Sequence, residues 1–436
     1  MKPQPYPTLD IQWHTGEQVG QVVNPGRQVF GYVPQWLTSG VNLSPLVVPF
    51  TDQVHRVRQD AFDQLPGFLA DCLPDNWGRT IMDREFAAAG LTTSPLRMLA
   101  WVGDRGIGAL KFHPSDQTEN SSKIWDPVQP ILLAREAQAV MKKSPPEAYE
   151  NLRRAGTAGG AFPKATVACL PDGSFLCGGN VASTLQDHPL AKLGILKLDV
   201  EDAPTRPRTD GRLEMAYLAM AKEAGVTVAQ ANVISHEDEL RPRHHLFVER
   251  FDILDQGTRR LHMLSLAGAL ETFDRLTYFQ LLDVTRRLTE DHQQVREAVR
   301  RMVFNVRSAN ADDHGKNHAF TLDRSTARWS LSPAYDLTLN YSESSHYYGL
   351  FPTTFGDQPT LERMQEIAAE FSVNETDFLK INEEVELAIE RWLEIAESHA
   401  VPESDRTRAQ QHQEHIRAIL SRPASTARRG TRRKRW

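Results

Sequence analysis

Residues 308–320 read SANADDHGKNHAF, and these thirteen positions hold two aspartates, two histidines, a lysine and two asparagines. Asp312 and Asn317 stand five residues apart. That is the spacing of a kinase catalytic loop, where the aspartate orients or deprotonates an acceptor hydroxyl and the asparagine ligates magnesium. Nineteen residues after Asn317, LSPAYDL places Asp336 behind the strand-like RWSLS. A carboxylate there suits Mg²⁺, a hard cation that prefers oxygen ligands and must bridge nucleotide phosphates. The competing readings are a solvated charged loop and a metallohydrolase site made of Asp312, Asp313 and His314. The hydrolase requires no nucleotide. Only Asp312 has the five-residue relation to Asn317, so Asp313 reads as loop-stabilising.

Phosphoryl transfer also needs a strand lysine to hold phosphates and a helix glutamate to hold that lysine. Lys197 lies in GILKLDV, residues 194–200, and Glu214 in RLEMAYLA. Alone, Lys197 reads as a lysine snorkelling from an apolar strand. Glu214 alone reads as a surface residue of a helix first turn. Ahead of both comes RAGTAGGAFPKA, residues 154–165. The backbone N–H groups around Gly159 and Gly160 suit phosphate cradling, because glycine permits close approach. The segment matches neither the Walker A form nor GxGxxG. The order of glycine-rich segment, strand lysine, helix glutamate, hinge strand, aspartate, asparagine and second aspartate is more specific than any single element.

The elements that must position these residues show in the patterning. Residues 1–112 alternate short apolar runs with turn residues, which predicts short strands. One amphipathic helix is expected near Asp75 to Ala89, closed by Gly90. WVGDRGIGALKFHP, residues 101–114, reads as a glycine turn feeding a strand, and residues 114–127 as a linker. KATVACL, PDG and SFLC form a hairpin pattern, since Asp-Gly supplies positive φ. LEMAYLAMAKEAG, residues 213–225, has helical spacing with a terminal glycine. HHLFVERFD, residues 244–252, is a further strand. From about 275 the chain turns helical, with a break near Glu290 to His292 and further helices between 361 and 399.

Composition narrows the function classes. The chain has 436 residues, 40% apolar and 24% charged, with a net charge of −6. That balance argues against nucleic-acid binding by the bulk of the chain. The exception is ARRGTRRKRW, residues 427–436, where six of ten residues are basic. Blocks of like charge repel and build no core, so disorder is expected there. Three cysteines without CxxC spacing suggest neither a disulfide framework nor a zinc site. No signal-peptide segment and no run of eighteen apolar residues occurs, so a soluble, cytoplasmic protein is expected.

The segments DCLPDNWGR, WVGDRGIGALKFHP, GTAGGAFPKA, ILKL, LFVERFD, ANADDHGKNHAF and LSPAYDL together resemble the HipA family of serine/threonine kinase toxins. The DDHxKN and PAYD pairing is the most specific part, and Cys72 stands where the family usually has serine. The resemblance implies an α+β, protein-kinase-like two-lobe fold with a β-rich N-terminal region and an all-helical C-terminal lobe. Residues 1–113 would form the N-terminal subdomain, 140–253 a nucleotide-binding N-lobe, 254–422 the helical C-lobe and 423–436 a disordered tail.

It further implies ATP and Mg²⁺ as cofactors, Asp312 as the catalytic aspartate, Asn317 and Asp336 as magnesium ligands, and Lys197 on the ATP phosphates. The strand from Glu249 to Phe251 would present backbone groups to adenine, and His314 and Lys316 would support the loop or the transferring phosphate. Thr157 falls where the family has a serine whose autophosphorylation ejects the loop; Phe162 stands where a polar or basic residue is common. The implied activity is phosphorylation of a translation component such as an aminoacyl-tRNA synthetase, causing growth arrest. A small HipB-like helix-turn-helix antitoxin would neutralise it, with DNA contacted only through that antitoxin. The alternative is a catalytically silent antitoxin-binding regulator.

Overall fold

The computed structural model describes residues 8–24, 27–56, 61–116, 126–155, 162–178, 181–200, 210–273, 276–339, 350 and 359–421. Thr157, Gly159, Gly160, most of the expected linker and the basic tail lie outside the described residues.

The N-terminal region is a four-stranded antiparallel sheet in the order β3-β2-β1-β4, formed by β1 Thr8–Trp13, β2 Gln18–Val23, β3 Val29–Tyr32 and β4 Leu110–His113. Its period-2 patterning is plain in β1, where Leu9, Ile11 and Trp13 are buried while Asp10 accepts hydrogen bonds from Gln18 and Gln21 on the outer face. Between β3 and β4 lie the helices Asn76–Ala88 and Pro95–Val102. The first ends at Gly90 with φ +68°, as the glycine stop predicts.

The second sheet runs β5-β7-β6-β8-β10-β9, with β5 Asp126–Val128, β6 Lys164–Cys169, β7 Phe175–Cys177, β8 Lys192–Lys197, β9 Ala231–His236 and β10 Arg243–Glu249. The β6–β7 hairpin turns at Gly173, φ +83°. On one face Leu196, Phe247, Val167 and Phe175 pack under the helix Pro130–Met141. Strand register sets Lys197 directly opposite Lys164 of β6 and Leu246 of β10.

The helix Gly211–Glu223 joins the two lobes. Leu246 and Val248 lie near Met215 on its sheet side, while Leu213 and Tyr217 belong to the core of the C-terminal lobe. Tyr217 donates to the Ser308 carbonyl at 2.9 Å and meets the Trp392 ring at 5.2 Å. The lobe is built on Tyr278–Thr289, His292–Arg307, Leu361–Glu370, Glu375–Glu390, Trp392–Ser398 and Glu403–Leu420. The expected break falls at Glu290, which is left-handed with φ +51°.

The two-lobe α+β organisation is as expected, with one correction: the C-terminal lobe is not all-helical. It carries an antiparallel sheet of β13 His262–Ser265, β14 Ala319–Asp323 and β15 Arg328–Leu331, preceded by the two-stranded β11 Ile253–Leu254 and β12 Arg259–Arg260. Leu264, Phe320 and Leu322 are buried, and strands this short between long helices leave little periodic signal. The sheet brackets the 308–318 loop, because β14 follows it and β15 leads into Asp336.

A single buried cluster runs from Leu9, Phe30 and Phe68 of the N-terminal region through Leu266, Tyr278 and Phe304 of the C-terminal lobe. Docking is close enough that a Cβ on Gly67 would stand 2.1 Å from the Gly268 carbonyl oxygen.

Candidate active site

Lys197 ends β8, and its ammonium is gripped from two sides. It donates to Glu214 Oε1 at 2.6 Å, from the first turn of Gly211–Glu223, and to Asp336 Oδ1. Burial alone would discharge this lysine, but the carboxylates of Asp336 and Glu214 outweigh it and hold the pKa above the ordinary lysine value. Burial raises the Glu214 carboxyl, opposed by the Lys197 charge. Burial also acts upward on Asp336, but the ammonium groups of Lys197 and Lys164 dominate and hold it well below the usual carboxylate range.

Asp336 adopts φ +55°, an uncommon conformation for a residue with a Cβ that aspartate tolerates better than most. Its approach is fixed by a parallel bridge between Val228 and Ala334, in which Ala229 N donates to Ala334 O at 2.9 Å and Ala334 N donates to Thr227 O at 2.8 Å. A conformation of this kind persists only where the surrounding structure holds it.

The loop from 308 closes on itself. Asn317 Nδ2 donates to the Asp312 carbonyl at 2.7 Å, the Asn317 amide to His314 O at 2.8 Å, and the Lys316 amide to His314 Nδ1 at 3.3 Å. His314 thus supports loop shape. Asp312 is exposed at the loop surface, yet loss of water on its inner side raises its carboxyl pKa, His314 opposing and Asp336 adding to the shift. Asp313 faces the other way. It is buried and accepts a hydrogen bond from the Tyr278 hydroxyl, which itself accepts from Asn305 Nδ2 at 3.0 Å. Asp312 and Asp313 therefore do not form one ligand set, and the Asp/Asp/His hydrolase grouping is not assembled.

The donors near Asp312 fit a hard divalent cation. Asp312 and Asp336 repel each other across the site, and Asn317, donating through Nδ2, keeps its amide oxygen for a ligand. The Asp336 carboxylate and the Asn317 amide oxygen leave positions for phosphate oxygens, as magnesium at a nucleotide requires.

Glu249 and Phe251 lie at the end of β10. The Glu249 amide donates to Gln230 O at 2.9 Å and its carboxylate pairs with Lys192 at 2.9 Å, so neither group is turned to a ligand. Phe251 stacks on Tyr335, with ring centroids 6.0 Å apart. Tyr335 in turn donates to the Lys316 carbonyl at 2.8 Å, linking the strand end to the loop.

Sequence reasoning missed four contributors. Lys164 is buried, and its charge acts on Asp336, Lys197 and Glu214. Its position opposite Lys197 follows from strand register rather than from spacing along the chain. Asp75 pairs with Lys316, Asp71 accepts from the Ser265 amide and hydroxyl at 2.6 and 2.8 Å, and Trp77 Nε1 donates to the Lys164 carbonyl at 3.0 Å. The DCLPDNWGR segment that contains them was visible, but not its partners.

Known proteins resemble this chain over most of its length. Residues 9–113 match the family model described as HipA N-terminal domain, and residues 156–399 match the HipA-like C-terminal domain. No curated protein matches the chain significantly. Among solved structures, the Shewanella oneidensis toxin HipA, solved with HipB and its operator DNA, superposes with a TM-score of 0.65 at 16% identity, covering 94% of this chain and 96% of that one. The Helicobacter pylori proinflammatory kinase CtkA gives a TM-score of 0.34 at 11% identity, over 52% of this chain and 88% of that one, too low to bear on the fold. No described helix is long and apolar enough to cross a membrane.

Proposed function

This chain belongs to the HipA family, and on that premise we propose that it is an ATP- and Mg²⁺-dependent protein serine/threonine kinase acting as a cytoplasmic toxin. The observation that carries the reading is the Lys197 ammonium held between Glu214 and Asp336, beside the Asp312 to Asn317 loop. A hydrolase or a silent scaffold has no chemical need for a charged lysine fixed by two carboxylates next to a hydroxyl-orienting aspartate.

In the proposed reaction a target serine or threonine hydroxyl gives its proton to Asp312 while its oxygen attacks the γ-phosphorus of ATP. The bond from that phosphorus to the bridging oxygen breaks and ADP leaves. Asn317 and Asp336 would hold the magnesium ion, which would supply charge neutralisation on the phosphates. Lys197 adds a fixed positive charge, and Glu214 keeps it aimed. Such positioning and electrostatic stabilisation make up most of the catalysis in phosphoryl transfer.

The target proposed is a translation component such as an aminoacyl-tRNA synthetase, with growth arrest as the outcome. A HipB-like helix-turn-helix antitoxin is the proposed partner, supported by the Shewanella complex. Autophosphorylation is proposed at Thr157, and adenine is proposed to lie against the backbone between Glu249 and Phe251.

Incubation with γ-labelled ATP and Mg²⁺, alone and with lysate, tests the reading. Wild type is expected to transfer label and Asp312→Ala to transfer none. A wild type that labels neither itself nor any lysate protein overturns it.

A further inference from the structure

We infer that Asp75 is a positioning residue for phosphoryl transfer, acting through Lys316, and that residues 71–77 form a clasp across the site. The inference rests on the kinase reading above. Lys316 is fixed at both ends. Its ammonium meets Asp75 Oδ1 at 2.5 Å and stands 5.4 Å from the centre of the Phe273 ring, while its carbonyl accepts from Tyr335, the neighbour of Asp336. Both charged side chains are about three-quarters shielded, 24% exposed for Lys316 and 27% for Asp75. A pair so placed is less screened than a surface pair, and the ring face adds attraction.

The use made of Asp75 is unusual for its place. It is the N-cap of the helix Asn76–Ala88, where an aspartate ordinarily accepts a hydrogen bond from the first-turn amides. Here the carboxylate makes no capping bond; only its backbone carbonyl serves the helix, accepting from Arg79 N at 2.8 Å. The helix start has given up a stabilising contact so that its carboxylate can reach a residue 241 positions away in the catalytic loop.

The neighbours of Asp75 extend the grip. Four residues earlier, Asp71 receives the Ser265 amide and hydroxyl from the C-terminal lobe. Two residues later, Trp77 donates to the carbonyl of Lys164 on β6. Seven consecutive residues thus touch the loop and both lobes. Two cations are thereby tied to one short segment: Lys164, which acts on Asp336, through its backbone carbonyl, and Lys316, next to Asn317, through its ammonium. Without Asp75 the four-carbon stem of Lys316 is free to sample many rotamers, and the loop that presents Asp312 loses an anchor. A loose supporting shell of this kind costs rate rather than binding.

The test compares wild type, Asp75→Asn, Asp75→Glu, Lys316→Ala and the Asp75→Asn/Lys316→Ala double variant in the full chain, using ATP with Mg²⁺ and lysate protein as acceptor. Asp75→Asn is expected to lower kcat about tenfold or more, with the KM for ATP within about twofold, and Asp75→Glu to recover part of the loss. In the Lys316→Ala background Asp75→Asn should add little, because both act through one contact. Independently of nucleotide, amide hydrogen exchange of residues 312–317 should quicken in Asp75→Asn while the melting temperature stays near wild type. Wild-type kcat in Asp75→Asn, or losses that multiply in the double variant, overturn the inference and leave the kinase reading standing. If wild type transfers no phosphate, that reading fails by itself, and loop exchange decides the clasp: faster exchange supports it, unchanged exchange overturns it.

Discussion

Asp312 and Asp336 share one site, and their surroundings push the two carboxyls in opposite directions. Loss of water, with the Asp336 charge adding and His314 opposing, raises Asp312. Lys197 and Lys164 overcome the same desolvation at Asp336 and depress it. A carboxyl raised in the folded state leaves the native protein most stable below the unfolded value, about 3.9, and takes stability away as pH rises through the folded value. A depressed carboxyl gives its stability above about 3.9 and loses it as pH falls through the folded value. Asp312→Asn should therefore raise the melting temperature at pH 7.5, and Asp336→Asn should lower it. Near pH 3 the Asp312→Asn gain should be gone. Both variants should lose phosphoryl transfer. Melting curves at several pH values check this, and shifts of the same sign at pH 7.5 would refute the electrostatic account.

Gly67 and Gly268 bring the N-terminal region against the helix Leu266–Leu270. Backbone opposes backbone there, so a methyl group has nowhere to move. Gly67→Ala should cost roughly 1–3 kcal/mol as an overpacked contact. Because one buried cluster spans both regions, the loss should appear in the main unfolding transition rather than in a separate N-terminal one. Denaturant unfolding followed by tryptophan fluorescence and by circular dichroism distinguishes the two outcomes.

Much of this was legible in sequence where local chemistry decides the structure. Gly90, the Asp172-Gly173 turn and the break at Glu290 each end an element where the residue types say they should. The Lys197, Glu214 and Asp336 grouping was legible through order and spacing. The helix Glu403–Leu420 was not, because its buried face is thin, resting on Ala409, Ile416 and Ile419 with the polar Asp405 and Gln413. The C-lobe sheet was missed because β13 and β14 pair across more than fifty intervening residues, and no local pattern carries such pairing. Asp75 was hidden for the same reason: its partner is set by the docking of one region on another.

Lys164 is a buried lysine whose charge burial disfavours, with Asp336 opposing that effect and Lys197 reinforcing it. A side chain of that kind is costly to keep unless function uses the charge. Lys164→Met should leave the fold about as stable as wild type, since burial already disfavours this charge more than Asp336 favours it. It should raise the KM for ATP or reduce labelling by at least about tenfold. A variant that melts like wild type and phosphorylates like wild type would show that Lys164 has no part in phosphate binding.

Tyr278 and Asp313 separate scaffold from chemistry within the loop. The Tyr278 hydroxyl donates to Asp313, accepts from Asn305, and Asn305 Oδ1 accepts from Asn310 Nδ2 at 3.0 Å, all at buried positions. Tyr278→Phe removes one buried hydrogen bond each from Asp313 and Asn305, an expected cost of roughly 1–3 kcal/mol. The loop carrying Asp312 is otherwise braced by Asn317 and His314, so phosphoryl transfer per folded molecule should persist in Tyr278→Phe at a temperature well below its melting point. Asp312→Ala should show the reverse, an intact fold without transfer. If Tyr278→Phe instead abolishes transfer while melting like wild type, Asp313 belongs to the chemistry and the division of labour between the adjacent aspartates is wrong.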